Sequence, residues 1–351
     1  MRDPEATAAP AASRLRSWRV PVFIAVVVVC VAGAFIAITR GGSSTSGDTV
    51  VETGEASIAE VQSVPHAVLV DTRLGDGYGH VGLVDLDHPD RIVDTDLVCD
   101  RVDMVGDRGV CLRAERGVIT TYKAIVFDDQ FQSLDTYDLP GIPSRTRVSP
   151  DGTYGAWTTF VSGDSYLSQG LSTRTHIQDL RTGEAVGDLE KFSVTKDGAP
   201  FSEVDFNFWG VTFDAQDSNA FYATLSTGGH IYLVRGDIAG RSMEVIYDGV
   251  ECPSLSPDGT RIAYKKRVTN GGRIEWRLAV LDLRTMTSHD LPGDKNVDDQ
   301  VQWLDDDTIA YGVPQADVGT PTKDTYEVAA DGSGQPELLV AGAWSLGDTD
   351  R

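Results

Sequence analysis

Glutamate is scarce beside aspartate, 13 against 40, and aromatic residues make up only 8% of the 351 positions. Glutamate favours helices, whereas Asp and the 36 glycines favour turns through side-chain-to-backbone hydrogen bonds and tolerance of positive φ, so the imbalance points to many turns and few helices. Catalytic signatures are missing as well. No G-x-S-x-G occurs, which removes the strand-turn-helix serine nucleophile. The six histidines (His66, His80, His88, His176, His230, His289) are scattered, with no H-E-x-x-H and no ligand pair at helical spacing. His80 and His88, with Asp85 and Asp87, are the nearest thing to a metal cluster and read as exposed turn and strand residues, so no metal is expected. Basic charge is in deficit too: the formal net charge is −23, and the first forty residues hold five basic against two acidic groups, so the acid excess falls on the remainder. Such a surface repels phosphate backbones and excludes nucleic acid as a partner, while keeping an exported domain in solution.

The first present feature is an uncharged run from Val20 to Thr39. Twenty helical residues span about 30 Å, the thickness of a bilayer core, so the run is expected to be one transmembrane helix. Arg2, Arg14, Arg16 and Arg19 precede it and only Arg40 follows closely, which places residues 1–19 in the cytoplasm and the rest outside a cell membrane crossed once. The competing reading is a cleaved signal peptide with Ala32-Gly33-Ala34 as its cleavage site, and under either reading the bulk is exported. Residues 40–63, opening Gly-Gly-Ser-Ser-Thr-Ser-Gly, read as a flexible linker with a short strand possible over Ser57–Val61. An oxidising exterior suits a Cys99–Cys111 disulfide. A simple hairpin over Gly106–Gly109 would set Cys111 nearer Met104 than Cys99, and three buried free thiols are the alternative.

Beyond the linker, short β-branched or aromatic segments recur between Gly, Asp and Pro: Ala67–Val70, Gly82–Leu86, Ala124–Phe127, Ala220–Ala223, Ile231–Val234 and Leu278–Leu281. Two stretches match each other closely, Val148-Ser-Pro-Asp-Gly-Thr-Tyr-Gly-Ala-Trp157 and Leu255-Ser-Pro-Asp-Gly-Thr-Arg-Ile-Ala-Tyr264. In Ser149-Pro150-Asp151-Gly152 and Ser256-Pro257-Asp258-Gly259 the proline fixes φ and Asp-Gly closes a tight turn, so both quartets read as structural turns between hairpin strands. Weaker copies run through Val102–Cys111, Trp209–Tyr222 and Val301–Tyr311. A second motif, Asp-Leu-Arg-Thr, occurs at 179–182 and 282–285. The spacing predicts six four-stranded blades, at 64–98, 99–141, 142–196, 203–249, 250–293 and 297–345, with an insertion lengthening the third.

The Ser-Pro-Asp-Gly hairpins resemble the WD40-like (PD40) repeats of TolB-type propellers and of the propellers that precede prolyl-oligopeptidase-type domains. The expected fold is therefore all-β, a TolB-like six-bladed β-propeller over residues 64–351, preceded by a single N-terminal transmembrane helix. With its short basic tail and one span, and with arginine exceeding lysine 23 to 7, the chain resembles the membrane-anchored TolB-like proteins of actinobacteria. The resemblance implies binding of an envelope protein or peptide at the channel mouth. A Tol-Pal role is not implied, because only the linker stands where TolB has a separate α/β domain. Peptidase chemistry would need a Ser-Asp-His hydrolase domain after the last blade.

Residues entering each innermost strand would line the channel mouth, which nominates Arg145, Asn207, Trp209, Glu251, Asp298 and Asp299; Trp209 could equally fill the wedge between blades. The alternative function is a glycan-acting enzyme that uses Glu251, Asp298 and Asp299 as acid and base. Ca²⁺ would suit the hard oxygens of Asp298, Asp299 and Asp305–Asp307, yet the run lacks EF-hand spacing and its Gly. Asp305–Asp307 stands where the other repeats have Pro-Asp-Gly and reads as a turn, so no cofactor is expected.

Overall fold

In a computed structural model of the protein, the described residues are 56–161, 172–293, 296–315 and 322–350. The expected cytoplasmic tail, the apolar run 20–39 and linker residues 40–55 lie outside them. No helix among the described residues is long and apolar enough to cross a membrane.

The chain enters through one turn of helix, Ile58–Val61, where a short strand was considered. The Ser57 hydroxyl accepts from the Glu60 N–H (3.3 Å) while the Glu60 carboxylate accepts from the Ser57 N–H (2.6 Å). This reciprocal cap satisfies donors that a lone strand would leave open, and it outweighs the apolar alternation. Val61 then buries at the seam of the first two blades.

Six sheets follow in a ring. Blade 2 is Arg101–Val105, Arg108–Glu115, Thr121–Phe127 and Ser133–Leu139; blade 3 is Ile142–Val148, Tyr154–Val161, Ser172–Asp179 and Ala185–Asp188. Blade 4 is Asn207–Phe213, Ala220–Thr227, His230–Asp237 and Ser242–Asp248, and blade 5 is Glu251–Leu255, Arg261–Asn270, Arg273–Asp282 and Thr287–Asp290. Blade 6 is Gln302–Trp303, Thr308–Pro314, Lys323–Ala329 and Glu337–Val340. Blade 1 joins the two ends of the chain. Its inner strand is Ala343–Asp350, paired antiparallel with His66–Asp71, and His80–Asp85 and Ile92–Val98 complete it.

Two expected boundaries need correction. Residues 343–345 belong to blade 1 rather than blade 6, because closing the ring by hydrogen bonds removes two open sheet edges. Ser193–Lys196 does not end blade 3: it pairs parallel with Ser242–Glu244 and antiparallel with Ala199–Phe201, widening blade 4 to six strands. The insertion inferred from the spacing is this edge, and Val194 and Phe201 pack there with Tyr232 and Met243.

Blades pack face to face, so their middle strands are covered on both sides. His66–Asp71 is buried at all six positions. The six apolar clusters lie at the seams between neighbouring blades: Ala67, Leu69 and Val84 of blade 1, for example, meet Leu304, Ala310 and Leu339 of blade 6. Each fully buried Leu or Phe contributes about 1.5–3 kcal/mol relative to exposure.

Turn chemistry absorbs much of the aspartate. In each Ser-Pro-Asp-Gly turn the Ser hydroxyl bridges the ends: Ser149 Oγ donates to Asp151 Oδ1 (2.6 Å) and accepts from the Tyr154 N–H (2.8 Å). Ser256 repeats this with Asp258 (2.5 Å) and Arg261 (3.0 Å), and Gly152 and Gly259 take φ of +67° and +71°. A second device recurs in all six blades. An Asp at or just past the end of the third strand accepts backbone N–H groups two or three residues on: Asp85 from Asp87, Asp128 from Gln130, Asp179 from Arg181, Asp237 from Gly240, Asp282 from Arg284 and Asp331 from Ser333. Asp305 does the same for the Asp307 N–H in the first turn of blade 6.

Cys99 and Cys111 form a disulfide, with Cα atoms 5.5 Å apart. The hairpin is tighter than the simple one considered above: Val105 pairs with Arg108, so Cys111 stands opposite Val102 rather than near Met104. Cys99, just before that strand, thereby comes within reach. The bond ties the exit of blade 1 to blade 2, and a loop of this length contributes about 3 kcal/mol. Cys252 is a buried free thiol.

Candidate functional site

The strand order sets which residues meet at each end of the channel. One mouth collects the starts of the innermost strands, the ends of the second strands and the starts of the third. The Ser-Pro-Asp-Gly turns lie at the other end. A cavity of about 630 Å³ occupies the first mouth, and five of the six nominated residues line it: Arg145, Asn207, Trp209, Glu251 and Asp298. Asp299 lies alongside, buried, accepting from Arg101 (3.1 Å) and from Trp344 Nε1 (2.5 Å).

This cavity is a blind cup, because residues 298–302 cross the channel and bond to every other blade. Asp299 holds Trp344 of blade 1 and Arg101 of blade 2. Arg145 of blade 3 donates to the Asp298 carbonyl (3.3 Å), and Arg147 of the same strand donates to the Val301 carbonyl (2.9 Å) and to Gln302 Oε1. Gln300 Nε2 donates to the carbonyls of Val211 in blade 4 (2.9 Å) and Pro253 in blade 5 (3.0 Å). Blades 3 and 6 face each other across the ring, so the arginine contacts bridge its full width. Beneath the bridge a separate cavity of about 230 Å³, lined in part by Arg147, Ser254 and Gln302, opens toward the Ser-Pro-Asp-Gly end.

Cations dominate the cup, against the sign of the whole chain. Arg101, Arg145, Lys265 and Lys323 line it and face Asp298 and Asp299. Glu251 is buried and sealed by Arg267 (2.9 Å). Lys265 bonds to Asp298 (2.5 Å) and stands 4.6 Å from the Trp276 ring centre. Burial raises the Asp298 carboxyl, but Lys265 and then Arg145 outweigh it and leave it below its ordinary value. Arg101 stacks 3.7 Å from the Trp344 ring centre and is pulled down to about 10 by burial and by Arg145. Gly312 makes room for this stack: a Cβ there would lie 2.9 Å from Trp344 Cδ1 and 3.0 Å from Asp299 Oδ2.

Lys323 is the outlier. Its backbone is pinned to Thr72 of blade 1, and its ammonium lies against the Trp344 ring with no hydrogen bond or ion pair to it among the described residues. Burial, then Arg101, pull its pKa down to about 6, with Asp299 opposing. The unfolded chain therefore holds a proton that the folded chain lacks between about pH 6 and pH 10.5, so stability contributed by this group rises with pH through that window and its cost is greatest below pH 6. Lys323→Met is expected to stabilise the protein by about 2 kcal/mol at pH 7 after allowing for solvent screening, with the gain fading by pH 10. Urea melts at both pH values check this; an equal gain at both would contradict it.

Sequence reasoning did not nominate Arg101, Lys265, Lys323, Trp276 or Trp344. Lys265 and Trp276 sit on the second and third strands of blade 5, each ten residues long and paired throughout, and Trp344 depends on the ring closure. The available signal was the long Arg261–Asp282 hairpin with its Gly271-Gly272 turn. No group of three metal-ligating side chains occurs among the described residues.

A ring of six blades closed by the C-terminal strand, with a blind cation-lined cup at one mouth, defines the class: a β-propeller. Among solved structures it resembles TolB from Acinetobacter baumannii, with a TM-score of 0.57 and 16% identity over 84% of this chain and 68% of that one. Weaker likenesses include a putative TolB from Agrobacterium tumefaciens (TM-score 0.47, 11% identity, 80% and 91% covered) and a puromycin-hydrolyzing peptidase from Mycobacterium tuberculosis (0.47, 14%, 79% and 43%). The fold is thus TolB-like, and likeness at this level of identity speaks for the fold alone. No family model matches the chain, nor does any curated protein sequence.

Proposed function

We propose that this chain is a non-catalytic binding protein of the cell exterior, anchored by residues 20–39, whose cup receives a protein, peptide or envelope component. The observation that carries this reading is the state of the mouth: a concave, aromatic-walled cavity in which all three nominated carboxylates are already committed to Arg or Lys. The glycan-acting alternative needs one carboxyl that keeps its proton near neutral pH and a second, ionised partner. Asp298 is held in the opposite direction, and Glu251 is buried beneath Arg267. Those pairings favour binding over acid-base chemistry.

The test is cross-linking in intact cells with the full-length protein and with a Trp209→Ala, Lys265→Met variant. A protein captured by the first and lost with the second supports the reading. Identical captures, or glycan cleavage abolished by Glu251→Gln, would overturn it. Protease added outside the cells should cut within 40–63; protection would refute the proposed topology.

A further inference from the structure

The binding reading leaves the ligand's chemistry open, and the cup narrows it. We propose that the cup captures the free C-terminal carboxylate of a peptide, seated among Lys323, Arg101 and Arg145. This rests on the reading of the mouth as the binding site for a protein or peptide.

Three features converge on it. Within a chain of net charge −23, four basic side chains gather at one cavity, and three of them are already paired: Lys265 and Arg145 with Asp298, and Arg101 with Asp299, while Glu251 is held by Arg267. Lys323 keeps a half-buried amine without an anion, whose protonated form is costly for folding alone and useful for a site that a carboxylate completes. The floor formed by residues 298–302 is closed, so an entering chain must stop there; a blind cavity of about 630 Å³ suits a chain end rather than a strand passing through. The walls bear on the rest of the ligand. Trp209, Trp276 and Phe160 offer apolar faces to a terminal side chain, and the Ser144 and Ser226 hydroxyls offer polar contacts to its amides. A bare phosphate would leave those faces unused.

The carboxylate would also change the charge of Lys323. The charged groups facing that ammonium are Arg101, Arg145, Asp298 and Asp299. Burial and then the two arginines hold its proton affinity down, and an added anion raises it, so binding takes up a proton at neutral pH.

The experiment titrates the full-length protein in detergent with acetyl-Ala-Ala-Leu as free acid and as C-terminal amide, read by tryptophan fluorescence. Inorganic phosphate and digalacturonate are the other probes. The free acid is expected to bind at least tenfold tighter than the amide and more tightly at pH 6 than at pH 8. Lys323→Met should weaken the acid at least fivefold and leave the amide unchanged, while unfolding at higher urea than the parent. Lys323→Arg, charged at every pH, should retain the acid and lose the pH dependence. Equal affinity for acid and amide, tighter binding of phosphate or digalacturonate, or an unaltered Lys323→Met would overturn the proposal. If cross-linking still captures a partner through the mouth while acid and amide bind alike, this inference falls and the binding function stands; if capture fails too, both fall.

Discussion

A chain ended at Gly342 is expected to lose cooperative folding, or to unfold at a urea midpoint far below that of the full chain. The strand removed, Ala343–Asp350, is the inner strand of blade 1, and His66–Asp71 pairs with it along its length. Without it, a fully buried strand is exposed on its hydrogen-bonding edge, and the apolar residues of blade 1 lose the cover of Ala343. Cross-blade bonds disappear with it. Ser345 Oγ accepts from the Val102 N–H (3.0 Å) and donates to the Val102 carbonyl (2.8 Å), stitching blade 1 to blade 2, and Thr325 of blade 6 donates to the Ala343 carbonyl (3.0 Å). Domains are stable by only about 5–15 kcal/mol, and losing an inner strand with these contacts removes much of that margin. The Cys99–Cys111 bond cannot compensate, since it holds the opposite side of blade 1. Amide exchange at Val68 and Leu69 should become fast in the shortened chain, and a peptide of residues 343–350 added in trans should slow it again. An unchanged midpoint would mean that the ring does not depend on its closure.

The propeller was legible because its turns are written in residues with one physical role. Pro, Asp and Gly at 150–152 and 257–259 specify a turn wherever they fall, so two hairpins and a period could be read without any tertiary information. The blades that read weakly carry the signal elsewhere: Asp85, Asp128, Asp237 and Asp331 close the turn after the third strand as Asp179 and Asp282 do, but without Leu-Arg-Thr behind them. What sequence could not supply was pairing between distant segments. The closing strand, 272 residues from its partner at Asp71 by the Ala343 pairing, has no local mark of its destination, and Ser193–Lys196 has β character whichever blade it joins. The cup followed the same division. Arg145, Asn207, Trp209, Glu251 and Asp298 follow from the rule that inner strands start at the mouth. Lys265, Trp276 and Lys323 enter from the second and third strands, where the pairing register, such as Glu251 opposite Lys265, sets which residues reach the mouth.

Asp299→Ala is expected to cost about 4 kcal/mol, far more than the 0–1 kcal/mol of a surface ion pair. Its carboxylate accepts from two other blades, from Arg101, whose side chain is 11% exposed, and from the indole N–H of Trp344, as well as from the Gln300 N–H next to it (3.0 Å). Removing it leaves a buried guanidinium whose proton affinity is already depressed by burial, and an indole donor without its acceptor. The neighbouring charges deepen the loss, since Arg145 repels Arg101 and Asp298 is occupied by Lys265 and Arg145. Asp299→Asn keeps an oxygen for one donor and is expected to cost about half as much. Arg101→Met combined with Asp299→Ala should be less damaging than the sum of the two, because the double variant leaves no unpaired charge; a coupling of about 1–3 kcal/mol separates this from two independent losses. Urea denaturation gives all four values. Strict additivity would show that the carboxylate stabilises the floor of the cup through Trp344 and the Gln300 N–H, without Arg101. A cost below about 1 kcal/mol would show that residues 298–302 lie across the channel without bracing it, and the six blades would then owe their ring to seam packing and strand closure.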